Sequence, residues 1–304
     1  MSSIKRALNY IHYNRAQFLD STVKHLGFLF GDKLYISLRY RFLMGKWIDW
    51  SEPKTFTEKI QWLKVYGFKP EYTTMVDKLA AKDYVANLIG NEYIIPTLQV
   101  WDSTKEIDID KLPSRFVLKT THGGGGCGVV ICKDKTLFER DKSFSKLQIS
   151  MNCVVGKEFR ERPYYLVHRK IFAEQFMAED DTELIDYKFY CFNGEPTYCQ
   201  VIRDRNVKET IDFYDMDWNL MPFVGLNPKC DNGPWPLPKP ECLDKMINIS
   251  KILSKNIPFA RIDLYNFANH PFFGEITLYP GGGIGRFKPA EWDVILGSLI
   301  QLPK

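Results

Sequence analysis

With 304 residues, the chain can bury a large core and build two or three subdomains. Its 45% hydrophobic and 26% charged content is ordinary for a globular protein, and a net charge of +4 is too small to argue for nucleic acid as a partner. No stretch is long and apolar enough to cross a bilayer. The start, "MSSIKRALNYIHYNRAQ", lacks the apolar centre and small-residue cleavage site of a signal peptide, so a cytoplasmic protein is expected.

The charge is uneven. Residues 1–50 carry eight Lys or Arg against three Asp, so the remainder is near neutral. Residues 3–48 read as helices with basic residues between apolar ones. They form either a helical region with a solvated basic face or a surface that docks on an anionic membrane or glycan. Thr55 and Glu58 then fit a capping box at the start of a helix carrying Ile60, Trp62, Leu63 and Val65. "TTMVDKLAAKDYVANLIG" reads as one more helix ending near Gly90, and "EYIIPTLQVWDS" as a strand.

Two β-prone runs, "RFVLK" and "GVVICKD", flank four consecutive glycines in "KTTHGGGGCGVV". A polar helical stretch follows to about Lys157. Strands and turns then alternate through "YYLVHRKIFAEQFM", "LIDYKFYCF", "EPTYCQVIRD" and "KETIDFYD", with Asn193-Gly194 as a hairpin signal. A Pro-rich loop, the helix "CLDKMINISKILSKN", the strands of "FARIDLYN" and "PFFGEITLYPGGGIGRF", and a last helix from about Ala290 complete the chain. The reading is α+β with largely antiparallel sheets.

Glycine inside a strand pair loses backbone entropy and packs nothing, so the loop is read as a place where the backbone itself is needed. Successive N–H groups without side chains can turn toward one anion, and Lys119 stands just ahead of them. No lysine follows the glycines, which excludes a P-loop, and no helix follows, which excludes a dinucleotide fingerprint. The kinase pattern GxGxxGxV fits at Gly123, Gly125, Gly128 and Val130, but no HRD or DFG triplet accompanies it. A glycine hairpin lying over a nucleotide survives, beside the plainer reading of a bare hairpin tip.

Asp263 and Glu275 flank a tight turn, so two antiparallel strands can present them side by side. Paired carboxylates repel unless a cation lies between them, and Mg²⁺ with nucleotide phosphates suits two oxygen donors. Cys127, Cys132 and His122 match no zinc spacing. Seven cysteines without a C-x-x-C pair point to free thiols in a reducing compartment. Asp215 and Asp217 make a D-x-D triplet of the kind that holds Mn²⁺ and a nucleotide-sugar in glycosyltransferases. The same triplet recurs at 108–110, and a polar turn explains both equally.

In order and spacing, "TFTEKIQWLK", "VDKLAAKDYV", "YIIPTL", "LPSRFVLKTTHGGGG", "DYKFYCFNGEP" and "FARIDLYN" resemble the ATP-grasp superfamily, and more narrowly its TupA-like proteins of teichuronopeptide and capsular polysaccharide biosynthesis. The resemblance runs from about residue 50 to the C-terminus. It implies two α+β subdomains clasping ATP, here 73–175 with the glycine lid and 176–304 with the metal carboxylates, preceded by a helical region at 1–72. It makes Lys78 and Lys119 the nucleotide lysines and Gly123, Gly124, Gly125 and Gly126 the phosphate lid. The segment Glu174, Gln175 to Met177 would read adenine through its backbone, and Asp181 would take the ribose. Asp263 and Glu275 become ligands of Mg²⁺, with Thr277 where many members carry Asn, which puts a second metal in doubt. Pro280 to Gly283 and Arg286 would lie near the acceptor, Lys188 and Arg203 would point to the same cleft if their strands alternate as read, and Arg286 or Arg261 would hold the acceptor carboxylate. His122 beside the loop is either a proton-transfer aid or a loop residue with a backbone partner.

The activity implied is ADP-forming ligation: a carboxylate attacks the γ-phosphate of ATP, and an amine captures the acyl-phosphate. The expected acceptor is a uronic acid of a bacterial surface glycan, with residues 1–49 as a contact to membrane or glycan-assembly machinery. A sugar kinase using the same cleft, the D-x-D glycosyltransferase and an inactive binding module remain as alternatives.

Overall fold

The computed structural model describes residues 15–177, 185–203, 209–226 and 230–303. Residues 15–25 form helix α1, followed by α2 (Asp32–Met44), α3 (Phe56–Tyr66), α4 (Tyr72–Val76) and α5 (Ala80–Ile89). Next come β1 (Thr97–Trp101), β2 (Phe116–Thr120), β3 (Val129–Cys132), α6 (Arg140–Asn152), α7 (Arg162–Tyr165) and β4 (Ile171–Gln175). The remainder is β5 (Asp186–Phe192), β6 (Glu195–Arg203), β7 (Thr210–Tyr214), β8 (Val224–Leu226), α8 (Leu243–Leu253), β9 (Phe259–Phe267), β10 (His270–Thr277), β11 (Arg286–Lys288) and α9 (Trp292–Leu299).

Two sheets organise these elements. One is four-stranded in the order β1-β4-β2-β3, the other five-stranded in the order β10-β9-β5-β6-β7, and β11 pairs with β8. Every strand pair within them is antiparallel. Three apolar cores follow. Trp101, Phe116, Leu118, Leu147 and Ile171 pack between the four-stranded sheet and α6. A larger core joins the five-stranded sheet to α3, α4, α5, α8 and α9 through Phe56, Ile60, Val85, Phe189, Met246, Phe259 and Leu296. The third, around Tyr35, Ile36 and Tyr40, belongs to α1 and α2.

Local chemistry sets several of these elements. The capping box is present: Glu58 N donates to Thr55 Oγ1 at 3.3 Å and Thr55 N to Glu58 Oε2 at 3.1 Å. Asp293 of α9 accepts from Thr57 N at 2.9 Å and from its hydroxyl at 2.8 Å, which ties the C-terminal helix to the start of α3. Asn193 and Gly194 turn at φ 53° and 88°, the two positive values that a two-residue hairpin turn demands.

One helix expected from the sequence is two. Asp77 is extended (φ −74°, ψ 113°) and ends α4, while its carboxylate accepts from Leu79 N at 2.8 Å and Ala80 N at 3.0 Å to start α5. The break leaves Lys78 outside both helices, with its own N–H bonded to Thr121 O at 2.9 Å. Other boundaries shrink as well: the strand expected from Glu92 onward begins only at Thr97, and "YYLV" is the short helix α7 and its exit rather than strand. Among the described residues, no helix is long and apolar enough to cross a membrane.

Candidate active site

β9 and β10 turn through Ala268 and Asn269 at positive φ. Regular pairing from that turn would set Gly274 opposite Asp263 and send Glu275 to the other face. A register shift between Phe273 and Glu275 skips Gly274 and pairs Glu275 with Asp263 instead. Gly274 suits the position, because a Cβ there would meet Asp263 O and the Tyr265 ring at 3.0 Å. The bulge is therefore what brings the two carboxylates onto one face.

Three cations hold them. Arg261 donates through Nε to Asp263 Oδ1 at 2.7 Å and through Nη2 to Asp263 Oδ2 at 2.8 Å, Glu275 Oε1 at 3.1 Å and Thr277 Oγ1 at 3.0 Å. Lys188, directly opposite Asp263 across β5 and β9, bonds Asp263 Oδ2, and Lys78 bonds Glu275 Oε2. Burial is the largest influence on both carboxyls and pushes each upward. For Glu275 it is outweighed by Lys78, then Arg261 and Lys188, which hold the group well below the usual carboxylate range. For Asp263, 2% exposed, burial prevails over Arg261 and Lys188, and its pKa lies above the ordinary value. Burial also disfavours the Arg261 charge, but Asp263 and Glu275 more than restore it. Glu275 keeps 32% of its side chain exposed, so the pair opens toward solvent at that end.

The glycine hairpin stands on the other sheet. Its base is strapped down: Thr120 N bonds Gly128 O at 3.0 Å, Thr121 N bonds Lys170 O at 3.0 Å, and the Thr120 hydroxyl meets Ser150 Oγ at 2.9 Å. Gly124, Gly125, Gly126 and Cys127 at the tip are exposed. Gly125, Gly126 and Gly128 have φ of 57°, 77° and 73°, values that disfavour a side chain. Behind the tip, Lys119 on β2 pairs with Glu174 Oε1 on β4, and Lys82 of α5 takes Glu174 Oε2 at 2.9 Å. Burial would raise the Glu174 pKa, but Lys119 and Lys82 together bring it below the ordinary value.

The structure thus gathers Lys78, Lys188, Arg261, Asp263, Glu275 and Thr277 into one cluster, and Lys119 with Glu174 into a second beside the lid. The chain links them, since Lys78 N bonds Thr121 O next to the lid while its ammonium reaches Glu275. Gln175 ends β4 with its N–H on Pro96 O at 3.0 Å, Met177 is buried, and Asp181 lies outside the described residues. His122 is buried with Nε2 on Ser150 O at 2.9 Å, and burial lowers its pKa, which agrees with a loop residue bonded to backbone.

Two arginines stand elsewhere. Arg286 is exposed on β11 and donates to Leu43 O at 2.6 Å, and Arg203 pairs with Asp212 on β7 and donates to Trp235 O at 3.0 Å. The two-pronged face of Arg261 is engaged by Asp263. Asp215 accepts from Asp217 N at 3.0 Å and Asn219 N at 2.7 Å, and Asp108 from Asp110 N at 3.1 Å, so both D-x-D triplets serve their own turns. Cys127 and Cys153 are exposed thiols.

Sequence reasoning missed Lys82, whose role depends on β4 lying near α5. It also missed Gln61 and Lys64. These side chains fix the glycine turn at Pro280–Gly283 by donating to Gly282 O at 3.0 and 2.5 Å, and Gln61 also to Gly283 O at 2.8 Å. Gly281, Gly282 and Gly283 in that turn all have positive φ, near 60°, which only their repeated lack of a Cβ announced.

Mg²⁺ suits the Asp263–Glu275 pair by donor chemistry: hard carboxylate oxygens on one face, with the Thr277 hydroxyl 3.3 Å from Glu275 Oε1. Among the described residues, no group of three or more His, Cys, Asp or Glu gathers for a metal, so the remaining ligands would come from phosphate and water.

Comparison with known proteins agrees with the sequence resemblance. A search among curated proteins gives no match. Among solved structures, the D-alanine–D-alanine ligase of Bacillus anthracis complexed with ATP aligns at 15% identity and a TM-score of 0.39, over 68% of this chain and 55% of that one. The Helicobacter pylori D-alanine–D-alanine ligase aligns at 12% and 0.44 over 83% and 68%, and the ATP-grasp ligase PsnB complexed with minimal precursor, Mg and ADP at 11% and 0.37 over 80% and 60%. The chain spans little more than half the length of the first, and likenesses this distant carry no functional argument. The family model for TupA-like ATPgrasp proteins matches residues 58–301, and the chain belongs to that family.

Proposed function

We propose that this protein is an ATP-dependent, ADP-forming ligase. It activates a carboxylate as an acyl-phosphate and passes it to an amine, and the acceptor we favour is a uronic acid of a bacterial surface polysaccharide. The observation that carries the reading is the pairing of cleft charges: Lys119 with Glu174, Lys78 with Glu275, and Lys188 with Asp263. Each lysine is held by a carboxylate within a fold whose family binds ATP. When ATP enters, its phosphates compete for the ammonium groups of Lys78 and Lys119, and Glu275, released from Lys78, becomes available to a cation beside Asp263. Bound Mg²⁺ would neutralise phosphate charge at Asp263 and Glu275.

The chain's own groups supply the remainder of the catalysis, which is positioning and charge. Lid N–H groups cover the phosphates at Gly123 to Gly126, and the segment Glu174 to Met177 meets the adenine. Arg261 acts as a positioning residue: by gripping Asp263 and Glu275 together, it keeps two like charges on one face. Among the described residues, no side chain is needed as a nucleophile. A peripheral place at the inner face of the membrane, or beside glycan-assembly machinery, belongs to the same reading, with residues 1–49 as the contact.

The test is ADP release in the presence of ATP and Mg²⁺ with panels of uronic acids and amines. Ligation requires both co-substrates and yields an amide. ADP formed from a sugar without carboxylate or amine would make the enzyme a kinase and overturn the ligase reading.

A further inference from the structure

A second surface lies on α1, outside the residues that the family model matches. Phe18 is 72% exposed, and Phe28 and Leu29 in the turn after the helix are 82% and 64% exposed. At about 100° per residue, Arg15, Phe18, Leu19, Thr22, His25 and Leu26 fall on one side of the helix. All of them are exposed, whereas Asp20 and Val23 on the other side are buried.

Two polar groups of this face bond to the helix's own backbone. The Thr22 hydroxyl donates to Phe18 O at 2.9 Å, and His25 Nδ1 bonds Ser21 O at 2.7 Å. Covering the face with an apolar medium therefore leaves the Thr22 hydroxyl bonded. The charge on the face is one-signed: it carries Arg15 and no carboxylate. The neighbouring acids are engaged, Asp20 by Arg39 at 2.7 Å and Asp32 by Arg160 at 3.4 Å. The sequence ahead of the helix adds Lys5 and Arg6 and no acid.

We infer that this face docks on an anionic lipid surface. The helix lies in the plane of the interface, with Phe18, Phe28 and Leu29 among the headgroups and Arg15 at the lipid phosphates. Charge complementarity selects this occupant, because a second copy would oppose two faces of like charge. The inference narrows the location we propose above and does not depend on the ligase chemistry.

The test is flotation of the full-length protein with vesicles of phosphatidylcholine alone or mixed with phosphatidylglycerol. The wild type should float with the mixed vesicles, less so at high salt, and stay behind with the neutral ones. Phe18→Ser combined with Phe28→Ser should weaken binding at least about tenfold while the Tm and circular dichroism stay unchanged. Failure to float with anionic vesicles would overturn the inference. So would undiminished binding by the double variant, or sedimentation showing a dimer that the same substitutions dissolve.

Discussion

The two hairpins of the proposed site are built in opposite ways. The β2–β3 hairpin offers backbone: its tip is glycine, exposed, and in conformations that side chains resist. The β9–β10 hairpin offers side chains: Arg261, Asp263 and Glu275 are interlocked, and a bulge sets their register. A hairpin proposed to cover a ligand gains from having nothing to pack at its tip, whereas a charge cluster is useful only when fixed. The comparison predicts that the first hairpin tolerates a side chain at Gly124, where the tip has room and ordinary backbone, and that the second tolerates almost no change.

The largest effects should fall on the charge pairs. Lys119→Ala and Glu275→Ala are each expected to lower ADP formation at least about a hundredfold, measured as turnover per folded protein below the Tm of each variant. Full activity in Glu275→Ala would break the metal assignment. Next, Arg261→Ala leaves Asp263 and Glu275 facing each other, and should cost about 3–5 kcal/mol in denaturant unfolding. If stability is unchanged, the cluster is not the fixed element that the comparison makes it.

The lid sharpens the contrast within itself. At Gly128, with φ +73°, a Cβ would meet Ser150 Oγ at 2.4 Å, whereas at Gly124 nothing lies nearer than Val155 at 3.9 Å. Gly128→Ala should therefore lower the Tm by several degrees, corresponding to about 1–3 kcal/mol, while Gly124→Ala should barely move it. Equal Tm values for the two would contradict a strapped base beneath a free tip.

The smallest expected effect is a pH slope. Lys64 and Glu161 lie 4.0 Å apart, and burial draws the lysine down to about 8 and the carboxyl up to about 7. With Glu161 raised from 4.5, the folded state holds the extra proton between about 4.5 and 7, so stability falls as pH rises through that window. With Lys64 lowered from 10.5, the unfolded state holds the extra proton above about 8, and stability recovers as pH rises further. Glu161→Gln should remove the first slope in a series of Tm measurements and leave no fall between those values.

Much of this was legible in the sequence because it is local. The capping box, the Asn193-Gly194 turn, the glycine run between two strands and the carboxylates flanking a turn each depend on a few neighbouring residues. What escaped depends on distant ones. The bulge at Gly274 moves Glu275 by one residue, a shift that no alternation pattern encodes. The break at Asp77 falls inside a continuous helical periodicity, and only its capping carboxylate marks it. The resemblance puts Arg286 near the acceptor, whereas β11 pairs with β8 and its guanidinium reaches the end of α2. The bond of Lys82 to Glu174 exists only because β4 lies beside α5.

The central claim is that Lys119 and the lid hold the phosphates of ATP. Thermal unfolding with a non-hydrolysable ATP analogue and Mg²⁺, for wild type and Lys119→Ala, tests it most directly. A ligand at a hundred times its Kd adds about 2.7 kcal/mol, which should raise the wild-type Tm by a few degrees and leave the variant nearly unmoved. No shift in the wild type, or an equal shift in Lys119→Ala, would contradict it.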